Sequence, residues 1–137
     1  MRYRGSNVAP REVVAEAVLR LRVDDTERIR ATVADMQRRR REAQPAKVRT
    51  FGSVWKNPGG DLSAGRILEE CGLKGFTAGG ARISPVHANF IENTGDARSA
   101  DVIALMQEAR RRARERFGVE LEHEVQMLGP IGLEAPA

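Results

Sequence analysis

Phe51-Gly52-Ser53-Val54-Trp55-Lys56-Asn57-Pro58-Gly59-Gly60 is the stretch on which the reading of this chain turns. Val48 just ahead of it, with Phe51, Val54 and Trp55, supplies the bulky side chains of a short strand from Val48 to Lys56. Asn57-Pro58-Gly59-Gly60 then ends that strand in a turn. A glycine inside a strand weakens it unless backbone or ligand comes close, so Gly52 predicts a tight backbone beside Ser53. Taken alone, Ser53 is in most settings only a small strand residue. Neither histidine belongs to a nucleophile elbow of the GxSxG kind, so Ser/His/Asp catalysis finds no support.

Outward toward the C-terminus, Ser63 can cap a helix that buries Ile67, Leu68 and Cys71 and ends at Gly72. A glycine-rich loop is expected from Gly75 to Ser84. Gly79, Gly80 and Arg82 could cradle an anion there, although a plain turn is the better reading. Val86 to Glu92 reads as a buried strand, on which His87 is most simply a hydrogen-bonded core histidine. Val102, Met106, Ala109, Ala113 and Phe117 form the apolar stripe of the longest helix, which starts at Ser99 and stops at Gly118. From Val119 to Leu128, Leu121, His123, Val125 and Met127 alternate with Glu120, Glu122, Glu124 and Gln126, the period of a last strand.

Toward the N-terminus, alternating apolar residues from Val13 to Val23 predict a half-buried strand that has no partner nearby in the sequence. Asp24 and Asp25 offer a cap for a helix with Ile29, Val33 and Met36 on one side, which ends before Pro45. With no regular βα alternation, the order of elements predicts an α+β fold, a small antiparallel sheet with packed helices. The expected organisation is the last part of a larger unit at 1–24, a domain at 25–130 and a flexible tail at 131–137.

The 137 residues carry a net charge of +4, and 20 of the 23 basic residues are arginine. Guanidinium favours phosphate and carboxylate partners. The runs Arg38 to Arg41 and Arg110 to Arg112 are interleaved with acids, however, which fits solvated helix faces better than a nucleic-acid stripe. One cysteine, Cys71, excludes an internal disulfide, and no metal-ligand spacing is present. No apolar run approaches the roughly 20 residues of a membrane span, and the first residues lack a secretory apolar region. A cytoplasmic protein is expected, without membrane or nucleic-acid partners.

Read in order, Gly52-Ser53-Val54-Trp55-Lys56-Asn57-Pro58, Ala64-Gly65-Arg66-Ile67-Leu68-Glu69, Gly72-Leu73-Lys74-Gly75, Gly79-Gly80-Ala81, Ser84, His87-Ala88-Asn89-Phe90, Asn93, Gly118-Val119, Leu121, Glu124-Val125 and Leu128-Gly129 resemble a known family. It is the C-terminal domain of UDP-N-acetylenolpyruvoylglucosamine reductase, also called UDP-N-acetylmuramate dehydrogenase. The resemblance runs over about Gln44 to Gly129. Its short passage from Pro58 to Ala64 is similar to the family type without an extra substrate-covering loop. Tyr3-Arg4, Ser6 and the Val13 to Leu21 segment resemble the end of the family's FAD-binding region, whose bulk, with its flavin loop and a catalytic arginine, is not in this sequence.

The resemblance implies an oxidoreductase of peptidoglycan precursor synthesis, with FAD as cofactor, NADPH as reductant and UDP-N-acetylglucosamine enolpyruvate as substrate. By motif match Ser53 is the proton donor, and Glu124 stabilises the developing aci-carboxylate. Asn57 and Tyr3 match contacts to the nucleotide diphosphate, and His87 matches a position lining the substrate pocket. Lys56 and the basic residues near Arg41 are candidates for phosphate. A chain of this kind is expected to need its FAD-binding portion, or a separate FAD-binding polypeptide, for activity. Two rival readings are an Arg-rich nucleic-acid-binding module and a non-catalytic regulatory remnant of the enzyme.

Overall fold

The computed structural model describes residues 6–9, 11–130 and 132–133. The chain divides into two compact units, Met1–Arg38 and Arg39–Ala137. Helix α1 spans Thr26–Ala43, and Asp25 caps it by accepting a 2.9 Å hydrogen bond from Arg28 N–H. Pairs such as Arg30–Glu27 at 2.8 Å run along it, and none of its residues is buried. The strand expected from Val13 to Val23 is absent: residues 12–25 form neither helix nor strand, and Val13, Val18 and Leu21 are more than four-fifths exposed. Alternation alone does not make a strand, whose backbone groups need a paired neighbour.

In the second unit, β1 (Arg49–Ser53), β2 (Thr77–Ala78), β3 (Ala81–Ile83) and β4 (Phe90–Asn93) form an antiparallel sheet of order β1-β4-β3-β2. Helices α2 (Ala64–Glu70) and α3 (Ser99–Phe117) pack with it, so the α+β architecture holds. Ile83 lies opposite Ile91, and both enter a core with Ile67, Leu68, Leu73, Leu105, Met106, Ala109 and Ala113. Arg82 lies opposite Glu92 on the other face, and its guanidinium holds the buried carboxylate through Nη2 at 2.7 Å and Nε at 3.2 Å. Thr50 lies opposite Glu92, and beyond a bulge Ser53 lies opposite Phe90, so the register puts Ser53 on that same face.

Three expectations shift in detail. The glycine-rich loop is a hairpin, β2 and β3 joined at Gly79-Gly80; Gly80 N–H donates to Asp101 Oδ2 at 3.1 Å, so a carboxylate of the chain itself takes the place considered for an anion. The strand expected from Val86 begins only at Phe90, because residues 88–89 turn. The strand expected over Val119 to Leu128 is reduced to one antiparallel bridge, Trp55 with His123. Ser63 does cap α2, accepting from Arg66 N–H at 3.3 Å, and Gly118 ends α3 in the left-handed conformation at φ 64°. Among the described residues no helix is long and apolar enough to cross a membrane.

The arginines of α3 are paired on the protein itself. Arg111 bonds Glu108 and Glu115, Arg112 bonds Glu108 and the Cys71 carbonyl, and Arg116 bonds the Glu70 carbonyl. The hydrogen bond from Arg111, joined by that from Arg112, pulls the Glu108 carboxyl down to about 2. A depressed carboxylate contributes stability that is present above its ordinary value of 4.5 and lost as the pH falls through about 2. Urea midpoints measured between about pH 5 and about pH 2 should therefore fall less steeply in Glu108→Gln than in the parent chain. Leu68, fully buried between α2 and the core, should cost about 2–5 kcal/mol when cut to alanine, read as a drop in the thermal midpoint.

Candidate functional site

Gly52 takes φ +79°, where side chains are strained, and nothing lies within 4 Å of a Cβ placed on it. No other part of the chain approaches Gly52 closely, and the residue is needed for its backbone conformation at the bulge between Thr50 and Ser53. Directly after the bulge the chain meets Asn89, a polar residue only 5% exposed. Asn89 Oδ1 accepts from Trp55 N–H at 2.8 Å, while its Nδ2 donates to Trp55 O at 2.9 Å and to Ser53 Oγ at 3.1 Å. Its own carbonyl accepts from Val54 N–H at 2.9 Å. Ser53 is half-buried and held at its oxygen.

On its other side the same backbone is paired with the C-terminal segment. Glu124 N–H donates to Val54 O and Lys56 N–H to Glu122 O, both at 2.8 Å. Trp55 and His123 face each other between these bonds, their rings edge to face at 6.5 Å. Glu124 is thus brought across from the residue next to Ser53, half-buried. Lys56 forms an ion pair with Glu122, so its charge is partly answered within the chain. Asn57 Oδ1 accepts from Ala64 N–H at 3.0 Å, which ties the turn after β1 to the first turn of α2.

His87 is joined to this group through the backbone: its Nδ1 accepts from Asn89 N–H at 3.2 Å. Burial, with the nearby Lys74 charge, moves its imidazole below its ordinary value, so the ring is neutral at pH 7 and carries its proton on Nε2. Its ring stands edge to face with Phe90 at 5.2 Å and borders a cleft of about 240 Å³ that Ser63, Gly65, Arg66, Glu69, Val86 and Ala88 also line. The structure therefore gathers Ser53, Glu124, Lys56, Asn57 and His87 around the end of β1 and the turn before β4. Tyr3 lies outside the described residues. Among those residues there is no group of three or more His, Cys, Asp or Glu that could hold a metal.

A family model described as "UDP-N-acetylenolpyruvoylglucosamine reductase, C-terminal domain" matches residues 44–128. The chain belongs to this family. Curated relatives named UDP-N-acetylenolpyruvoylglucosamine reductase include one from Anaeromyxobacter dehalogenans, 47% identical over 93% of this chain and 38% of its own length. Another, from Syntrophomonas wolfei, is 42% identical over 94% of the chain and 43% of its own length. The crystal structure of UDP-N-acetylenolpyruvylglucosamine reductase from Thermus caldophilus superposes with a TM-score of 0.62 at 42% identity, covering 77% of this chain and 37% of that one. The chain spans about two fifths of the length of these relatives.

The reductase-family segment contains Ser53, Lys56, Asn57, His87 and Glu124, whereas Tyr3 precedes it. Asn89 and Gly65 are the members of the cluster that were not singled out as site residues from sequence. An asparagine in a turn just before a buried strand is the signal that was open to reading. Gly65 carries a different one: a Cβ there would stand 2.5 Å from His87 Cε1, so only glycine lets α2 and the imidazole meet. Gly65→Ala should push His87 out of its contact with Phe90 and lower stability by about 1–3 kcal/mol. Chemical unfolding and the His87 ring resonances would record both effects.

Proposed function

We propose that this segment supplies the substrate-binding and proton-donor half of a flavin-dependent reductase that converts UDP-N-acetylglucosamine enolpyruvate to UDP-N-acetylmuramate, a peptidoglycan precursor, in the cytoplasm. The observation that carries the reading is the cluster itself: Ser53, held at its oxygen by a buried amide, sits beside the backbone pair that brings in Glu124. The described residues do not suit FAD. Helix α1 begins behind Asp24 and Asp25, and the start of α3 is already filled by the Asp101 carboxylate, so neither terminus offers a place for a pyrophosphate. FAD, with NADPH as its reductant, belongs in this reading to another region or to a separate polypeptide.

In this reading the chain's own work is to bind the substrate and to finish the reduction. Once hydride has been delivered to the enolpyruvyl group, negative charge spreads from the adjacent carbon onto its carboxylate. Glu124 stabilises that charge as a hydrogen-bond donor when protonated, and Ser53 gives its proton to the carbon. A hydroxyl is a weak acid, but an enolate is basic enough to take its proton when the two are held together. Asn57 and Tyr3 are assigned to the nucleotide diphosphate, Lys56 is a candidate for phosphate, and His87 lines the substrate pocket.

The test grafts this segment onto the flavin-binding portion of the 47%-identical Anaeromyxobacter relative. Ser53→Ala should leave flavin reduction by NADPH intact while lowering turnover of the enolpyruvyl substrate about 10²- to 10⁴-fold. Stopped-flow absorbance separates the two half-reactions. Unchanged turnover would remove Ser53 from the chemistry.

A further inference from the structure

The hydroxyl proposed as proton donor has a neighbour whose hydrogen bonds admit only one direction. Asn89 is buried, and the peptide of Trp55 meets its side chain with both a donor and an acceptor: Trp55 N–H points to Oδ1 at 2.8 Å and Trp55 O receives Nδ2–H at 2.9 Å. A reversed amide would set N–H against N–H and carbonyl against carbonyl, losing two buried bonds at once. Trp55 therefore fixes which end of the amide faces Ser53. It is the NH2 end, 3.1 Å from Oγ, and an amide nitrogen donates without accepting. Ser53 must be the acceptor, so this bond does not consume its own hydrogen.

We propose that Asn89 is a positioning residue for Ser53, donating to its hydroxyl oxygen so that the hydroxyl hydrogen is kept for transfer to the substrate. The proposal rests on the reading of Ser53 as the proton donor. When the proton leaves, the O–H bonding pair stays on Oγ, a C–H bond forms on the substrate, and the alkoxide is the species the site must stabilise. The Nδ2–H of Asn89 already points at that oxygen and needs no reorganisation to do so. Solvent then returns a proton to Oγ. The Asn89 backbone is itself tied on both sides, its N–H to His87 Nδ1 at 3.2 Å and its carbonyl to Val54 N–H at 2.9 Å, so the amide is a rigid reference for the hydroxyl.

The test uses the 137-residue chain and needs no turnover. With Cys71→Ala removing the native thiol, Ser53→Cys places a titratable group at the Oγ position, and thiolate absorbance at rising pH gives its midpoint. The midpoint should lie below the ordinary thiol value of about 8.5 and should rise by about one pH unit when Asn89→Leu is added. The neighbouring charged and titratable groups, Lys56, Glu122, Glu124, His87, His123 and the Arg82–Glu92 pair on the same sheet face, are the same in both proteins, so the difference reports Asn89. An unchanged midpoint in a folded protein would overturn the proposal.

Because Asn89→Leu also severs the bonds to Trp55, a second measurement keeps Asn89 in place. In ¹⁵N NMR spectra, Ser53→Ala should move one of the two Asn89 side-chain amide protons upfield and speed its exchange severalfold, leaving the proton bonded to Trp55 O little changed. Two unmoved protons would overturn the proposal even if Ser53→Ala abolished turnover, and the donor reading would then stand without Asn89. A responsive proton together with full turnover of Ser53→Ala would overturn the donor reading, and the positioning role with it.

Discussion

One buried amide constrains everything around it. Asn89 lies almost wholly out of water, where an unmatched amide would cost several kcal/mol, so the chain has to supply partners for it. It does so with a single peptide: the N–H and the C=O of Trp55 close a ring with the two ends of the Asn89 side chain. That ring holds the end of β1 against the turn before β4. Val54, between the ring and Ser53, gives its N–H to the Asn89 carbonyl and its C=O to Glu124 N–H, so the three segments meet at one residue. Asn89 links the serine to the histidine, and Val54, beside that serine, pairs with the glutamate.

The sequence disclosed what short-range chemistry controls. Helix ends were readable because caps are local: Asp25, Ser63, Gly72 and Gly118 each stop or start a helix within one turn of the residues they serve. Strands were less readable because pairing is not local. The alternation from Val119 to Leu128 is genuine, yet it meets a partner only at Trp55, and the alternation from Val13 to Val23 meets none among the described residues. The hairpin of Thr77–Ala78 and Ala81–Ile83 is too short to display a period of two, and its glycine turn reads as loop.

The candidate site residues rest on another kind of signal. Ser53, Asn57, His87 and Glu124 are singled out by the order of motifs; in the structure Asn89 bonds both Ser53 and His87, Glu124 pairs with the Val54 backbone, and Asn57 bonds the start of α2. Their individual settings were not legible: Asn57 also bonds the first turn of α2, Lys56 is paired with Glu122, and Gly52 serves a bulge, with no other backbone close to it. Asn89 was legible only as a member of the motif His87-Ala88-Asn89-Phe90, because its place depends on burial and on a backbone 34 residues away, neither of which local spacing encodes.

The two units treat their unpaired backbone in opposite ways. In the second unit one border of the sheet is β2, two residues long, and the strand after β1 is met by Glu122 and Glu124; both leave little edge on which another chain could add. Among the described residues, 12–25 meet no strand, and they carry exposed valines and leucines at close intervals. Fourteen residues that expose this much apolar surface bear on the solubility of the polypeptide independently of the stability of the folded unit that carries the serine.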